Sequence, residues 1–345
     1  MRREALWLLV LLVAGVSTGC QREDPPTFVS NEQVLSLPSE LQAEVREALR
    51  DYTGTFTNPK LLGDDKVTDE TLAKGQQVYQ QRCVQCHGVS GDGNGPVAGT
   101  MYPRPRDYRK GTFKFTSTPY GAKPLFSDLV RTVKMGVRGT SMPSFKFLSP
   151  DEIDAVVSYV LVLTHRGELE EQLGMLADFD EEVDREIVEE ETLPIILSKW
   201  KDSAGSEVTP VTPQPVFTID HVRRGKEAFL SKGCSKCHGD DGRGQTPDNL
   251  AGNLKDTWGH VTRAADLTSG LLHGGAEPIA IYRRIYSGIN GTPMPSFAQS
   301  LREEPDTIWD LVAYVRYVAS RRRAGVQYSP GTIAPYVKEK AATGE

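Results

Sequence analysis

Four cysteines and two histidines fall into two short runs, Cys83-Val84-Gln85-Cys86-His87 and Cys234-Ser235-Lys236-Cys237-His238. Cys-x-x-Cys-His is the attachment pattern of a c-type haem. Two thiols three positions apart, at the start of a helix, reach the two vinyl groups of one porphyrin. The adjacent His then turns an imidazole nitrogen toward the iron as its proximal ligand. Cys-x-x-Cys also opens zinc ribbons, and paired thiols can close a structural disulfide. A His in the fifth place, twice, favours haem. The reading is two covalently bound haem c groups, anchored by Cys83, Cys86, Cys234 and Cys237 and ligated by His87 and His238.

The surroundings repeat with the motifs. Each is followed by a Gly-rich loop ending in Pro, at Gly88–Pro96 and at Gly239–Pro247. Each is followed later by a Met block, Gly139-Thr140-Ser141-Met142-Pro143-Ser144-Phe145 and Gly291-Thr292-Pro293-Met294-Pro295-Ser296-Phe297. The His-to-Met spacing is 55 residues in the first copy and 56 in the second. Met opposite His is a standard axial pair in electron-transfer haems. A Met is more often a filler of irregular core gaps, but only six occur here and two hold matched places. Met142 and Met294 are therefore the expected distal ligands.

Such ligands need helices to hold them. Thr68 is placed to cap a helix whose apolar stripe, Leu72, Gly75, Val78 and Tyr79, leads into Cys83. Its counterpart is Val222, Gly225, Ala228 and Phe229, leading into Cys234. The small residues Gly75 and Gly225 permit a close helix crossing. The expected partners are the helices after the Met blocks, carrying Ile153, Val156, Val157, Tyr159 and Val160, and Ile308, Leu311, Val312, Tyr314 and Val315. Ser149-Pro150-Asp151-Glu152 reads as the start of the first, with Pro at the first helical position and acids in the first turn.

Each half, residues 68–165 and 218–320, resembles a class I cytochrome c domain, and the whole resembles bacterial two-haem cytochromes c. The resemblance implies a mainly α fold of two tandem domains. Each is a small helical bundle wrapped around one covalent haem, with terminal helices crossing near the haem edge. It also implies that a Pro carbonyl after the proximal His accepts that ring's other proton, which makes Pro96 and Pro247 the candidates. The alternative is that these prolines only stiffen their loops. Between loop and Met block, Arg106-Asp107-Tyr108 parallels Ala265-Asp266-Leu267, and Leu129-Val130-Arg131 parallels Ile281-Tyr282-Arg283. Arg131 and Arg283 are candidate partners of the haem propionates, or else solvated helix arginines. His165, His221, His260 and His273 have no motif context and read as surface or packing residues.

The domain layout follows. Residues 1–20 form a leader, with Arg2 and Arg3 before an apolar run and small residues before Cys20, as in a lipoprotein export signal. Ser17 stands where such sites usually carry Leu. Cys20 is the expected lipidation site, with simple secretion or an uncleaved anchor as the alternatives. Residues 21–66 are a tether and arm, 67–166 the first domain, 218–323 the second and 324–345 a tail. Between the domains, residues 167–217 form an acidic helical insert and a Pro-rich spacer. Twelve of residues 167–193 are Asp or Glu, and only Arg185 is basic. Leu169, Leu173, Leu176, Phe179, Val183 and Ile187 recur at roughly helical spacing. The insert reads as a spacer packed by this stripe, ahead of the alternative of a docking surface for a basic partner.

The chain of 345 residues has net charge -6, against a nucleic-acid binder. The function expected is single-electron transfer between redox protein partners or to a membrane respiratory complex. The protein would be exported and periplasm-facing, held at the membrane by lipid, or else soluble in the periplasm. One alternative is a two-haem peroxidase-like enzyme, which needs an iron with an open position and so fits poorly with two Met blocks. The other is a cytochrome subunit of a larger membrane oxidoreductase.

Overall fold

The computed structural model describes residues 26–64 and 66–323. The leader with Cys20 and the tail 324–345 lie outside the described residues. Among the described residues the chain is helical, with only isolated β-bridges at Gly54–Pro59 and Lys255–Val261. The arm supplies α1 (Glu32–Ser36) and α2 (Ser39–Thr53). The first domain follows with α3 (Asp69–Arg82), the single turn α4 (Val84–His87), α5 (Phe126–Met135) and α6 (Pro150–Asp180).

Local chemistry sets these helices. The Thr68 hydroxyl accepts from the Thr71 backbone N–H, and Asp69 and Glu70 sit in the first turn of α3. There they face the positive end of the helix dipole. Ser149 and Glu152 form a capping box at the start of α6, with Pro150 at its first position. Helices α3 and α6 cross where Gly75 meets the Ala155 carbonyl; a Cβ there would lie 2.1 Å from that oxygen. The crossing brings the Tyr79 and Tyr159 rings to 5.2 Å, both fully buried. Burying one large apolar side chain contributes roughly 1.5–3 kcal/mol, which outweighs the about 1 kcal/mol that Gly costs inside a helix.

Helix α6 has 31 residues and runs unbroken through the boundary expected at 166/167. Its second half belongs to a separate core in which Leu169, Leu173 and Ala177 pack against Val34, Val45, Ala48 and Leu49 of the arm. After α6 come α7 (Arg185–Ile187), a π-turn at Val188–Thr192 and α8 (Leu193–Ser203), whose Ile196 closes the same core. The acidic segment thus buries its Leu stripe against the arm. Phe179 departs from that stripe and is 87% exposed, because α6 ends one residue later. Polar pairs fasten the two parts: Arg185 to Asp51 at 3.0 Å, and the Tyr52 hydroxyl to Glu189 at 2.9 Å.

The second domain repeats the first with α9 (Ile219–Ser231), α10 (Ser235–His238), α11 (Pro247–Ala251), α12 (Pro278–Tyr286) and α13 (Asp306–Arg323). A Cβ on Gly225 would lie 2.0 Å from the Asp310 carbonyl oxygen, and Phe229 meets Tyr314 at 5.1 Å. Helix α13 is also held by the Arg224–Asp310 pair, with two hydrogen bonds of 2.8 Å. The Pro-rich spacer is tied to both domains. Val208 N–H donates to the Ser117 carbonyl at 2.8 Å, Val211 N–H to the Tyr282 hydroxyl at 3.1 Å, and the Trp309 indole to the Thr212 carbonyl at 2.9 Å.

The domains touch directly. Gly121 N–H donates to the Asn290 side-chain oxygen at 2.9 Å, Arg284 donates to the Thr116 carbonyl, and Phe115 meets His273 edge-on at 6.4 Å.

Candidate haem sites

The Cys-x-x-Cys-His turns are positioned alike. Helix α3 runs into α4 through Cys83, whose carbonyl accepts from His87 N–H at 2.9 Å; Cys234 and His238 repeat this at 3.0 Å. Cys83, Cys86, Cys234 and Cys237 are half-buried free thiols. The Tyr79 hydroxyl, reaching from α3, donates to the Gly88 carbonyl at 2.8 Å and pins the start of the loop after His87.

Each proximal ring is oriented by one backbone carbonyl. His87 Nδ1–H donates to Arg106 O at 3.2 Å, and His238 Nδ1–H to Ala265 O at 3.0 Å. The other nitrogen, Nε2, is the one left to ligate iron. This tautomer follows from the acceptor, since a carbonyl only accepts. Burial pushes His87 down to about 4 and lowers His238 too, opposed in each by the carbonyl bond. Both imidazoles are thereby neutral, the form that binds metal. Tyr108 stacks on His87 with ring centroids 4.7 Å apart; the matched residue in the second domain is Leu267.

These acceptors correct the expectation for Pro96 and Pro247. Both prolines are exposed. Pro247 starts α11, where its fixed φ suits the first helical position. The carbonyls that reach the rings lie 10 and 18 residues further on in sequence. They arrive there because each Gly loop binds the returning chain. Tyr108 N–H donates to Gly91 O at 2.7 Å, and Leu267 N–H to Gly242 O at 2.8 Å. The parallel between Arg106-Asp107 and Ala265-Asp266 was the available sequence signal.

The Met blocks form matched loops after α5 and α12. Val137 N–H donates to Met142 O and Ile289 N–H to Met294 O, both at 3.1 Å. Thr140 and Thr292 hydroxyls accept from the Met142 and Met294 N–H groups at 3.1 and 3.3 Å. Ser144 and Ser296 hydroxyls donate back to the Lys134 and Tyr286 carbonyls at 2.8 and 2.6 Å. Gly136 and Gly288 adopt left-handed φ of 65° and 69°. A Cβ there would lie 2.4 and 2.7 Å from the Pro143 and Pro295 carbonyl oxygens, so only Gly closes the loop.

Arg131 and Arg283, the expected partners of the haem propionates, are also engaged by protein groups. Arg131 pairs with buried Asp128 at 3.0 Å and donates to Phe115 O at 2.5 Å. Arg283 pairs with Glu207 at 2.6 Å and donates to Val208 O at 3.1 Å. The guanidinium beside a proximal ligand belongs instead to Arg106, which burial lowers to about 10, leaving it a cation at neutral pH. The motif-free histidines pack or cap. His165 is buried against Trp200 at 4.8 Å, His221 caps α9 through Thr218, His260 is exposed and His273 is half-buried beside Phe115.

The donor set fits haem c. Each site offers two unpaired thiols one turn apart and a neutral imidazole with Nε2 left over, and each domain carries a Met on a hydrogen-bonded loop. Among the described residues no three His, Cys, Asp or Glu side chains are grouped so as to hold a metal ion by themselves, whereas a structural zinc centre needs four such ligands. Cys83, Cys86 and His87 would hold one haem with Met142; Cys234, Cys237 and His238 would hold the other with Met294. Bound there, the group supplies an iron that cycles between ferric and ferrous.

Comparison with known proteins agrees with this geometry. Residues 70–160 match the family model described as cytochrome c oxidase, cbb3-type, subunit III, and residues 222–319 match that of cytochrome c. A chain of the Kuenenia stuttgartiensis reducing HAO-like protein complex is similar in structure, with TM-score 0.57 and 28% identity. The similarity covers 75% of this chain and 99% of that one. The chain is therefore a two-haem c-type cytochrome, made of two cytochrome c domains in tandem and carrying two covalently bound haem c groups.

Proposed function

We propose that the protein is an electron carrier rather than an enzyme, passing single electrons between redox partners through two His/Met haems. The observation that supports this most is the matched pair of Met loops, each closed by the same hydrogen bonds and the same left-handed glycine. A thioether from Met142 or Met294, were it to ligate, would leave no site for substrate and would favour ferrous iron, giving a higher potential than a second His would. The haems held by Cys83, Cys86 and His87 and by Cys234, Cys237 and His238 would supply one-electron chemistry between a donor and an acceptor. A peroxidase-like role would require one of the two loops to release its Met.

The similarity to a chain of a reducing HAO-like protein complex favours a second, finer reading: the cytochrome works as a subunit of a larger oxidoreductase. The leader ending at Cys20 supports an exported, lipid-anchored protein facing the periplasm. Haem staining of a native extract separated by size tests the subunit reading. It predicts migration with a larger assembly; migration at the mass of the single chain argues for a free carrier.

A further inference from the structure

Two cation–aromatic contacts cross between the domains. The Arg106 guanidinium of the first domain lies over the Trp258 ring of the second, 3.8 Å from its centroid. Arg263 of the second domain lies over Tyr102 of the first at 5.8 Å. The closer contact is joined to both haem sites. On one side, the Arg106 carbonyl accepts from His87 Nδ1–H at 3.2 Å. On the other, Trp258 walls the Met294 loop. A Cβ on Gly291 would come within 2.6 Å of the indole, and Thr257 N–H donates to Gly291 O at 3.1 Å. A tight turn presents the indole: Asp256 Oδ1 accepts from Trp258 N–H at 3.1 Å and from His260 N–H at 2.9 Å.

The arrangement is one-sided. The carbonyl that orients His238 belongs to Ala265, which carries no charge, whereas the one that orients His87 belongs to Arg106, whose side chain is a half-buried cation. A fixed positive charge favours the iron state of lower charge, the ferrous one. Its effect is strong where protein rather than water surrounds it. Asp107 and Asp256 lie near enough to temper the charge, but Asp107 is already paired with Arg109 at 3.0 Å. The cation–π contact holds the guanidinium in this place.

We propose that Arg106 is a positioning residue of the first haem: its carbonyl orients His87, and its guanidinium, clamped by Trp258 of the other domain, raises that haem's reduction potential above the value the shared ligand set would give. The two domains thus set different potentials with the same ligands, and one of those settings depends on domain contact. The proposal rests on the carrier reading. Potentials are read at equilibrium from absorbance, however, so a protein that proved to turn over peroxide would still report them, and the two failures are separable.

The test is a spectroelectrochemical titration of the full holoprotein and four variants. The first haem is identified by NMR contacts between its protons and the Tyr108 ring, for which the second site has only Leu267. Arg106→Gln keeps the carbonyl and removes the charge; it should lower the potential of the first haem and leave the second in place. Trp258→Leu should lower the same haem by a smaller amount. The double variant should match Arg106→Gln alone, and Trp258→Phe, which keeps an aromatic face, should stay near the parent. An unchanged first haem in Arg106→Gln overturns the proposal. So does a Trp258→Leu shift that persists undiminished in the Arg106→Gln background. Should Trp258→Leu fail to fold, Arg106→Gln decides the charge and Trp258→Phe the clamp, since Phe loss of the parent potential would contradict it.

Discussion

Gly225 lies so close to Asp310 that a Cβ on it would sit 2.0 Å from the Asp310 carbonyl oxygen. The same holds for Gly75 and Ala155 at 2.1 Å. The obstacle in both is backbone, which does not swing aside as a side chain would. Gly75→Ala and Gly225→Ala should each therefore destabilise by about 1–3 kcal/mol or somewhat more, despite the better helix propensity of Ala. Thermal unfolding followed by circular dichroism checks this. A melting temperature equal to or above the parent's would show that the helices are not in contact as described.

The crossing glycines were legible before the structure, because a small residue at the same place in two copies of one apolar stripe has a packing explanation. The Cys-x-x-Cys-His turns and the matched Met loops were legible for a similar reason: both are local patterns that repeat with their spacing. What was missed depends on chain separated in sequence. The carbonyls on His87 and His238 come from 19 and 27 residues away, and which carbonyl arrives is decided by how the Gly loop folds back. Arg283 is taken by Glu207, 76 residues earlier in the spacer. The arm covers the acidic helix through pairs more than 130 residues apart, such as Arg185 with Asp51, which no periodicity within either segment reveals.

Met142→Ala and Met294→Ala should each remove one sixth ligand. The ferric parent should show the weak near-infrared sulfur-to-iron band from both haems, and each variant should lose about half of it while opening one iron to an added small ligand. A variant with an intact band would mean that its Met is a packing residue.

His165 provides a pH prediction. Burial, with the nearby Lys123 charge adding to it, lowers this imidazole to about 4 from an ordinary 6.5. The unfolded chain then binds the proton more readily, so stability is fully present above pH 6.5 and is lost as pH falls toward 4. The loss approaches roughly 3 kcal/mol at a little under 1.4 kcal/mol per pH unit. His165→Phe removes this titration. Denaturant unfolding of the parent and variant at pH 7 and pH 4.5 should show the parent losing more; equal losses would place the proton elsewhere.

Cys20→Ser should move the protein from the membrane fraction to the soluble one, and the mature parent should begin at a lipid-bearing Cys20 by mass spectrometry. Stable anchoring needs more than one acyl chain. A mature chain that starts elsewhere, or an unchanged fractionation, would remove the anchor from the account.

The central claim, that two closed His/Met haems make this chain a carrier, is tested most directly by redox titration of the holoprotein with absorbance, with and without peroxide. The account predicts two low-spin haems, each taking up one electron reversibly, with spectra unmoved by peroxide in the ferric state. One high-spin ferric haem together with rapid peroxide turnover would contradict it.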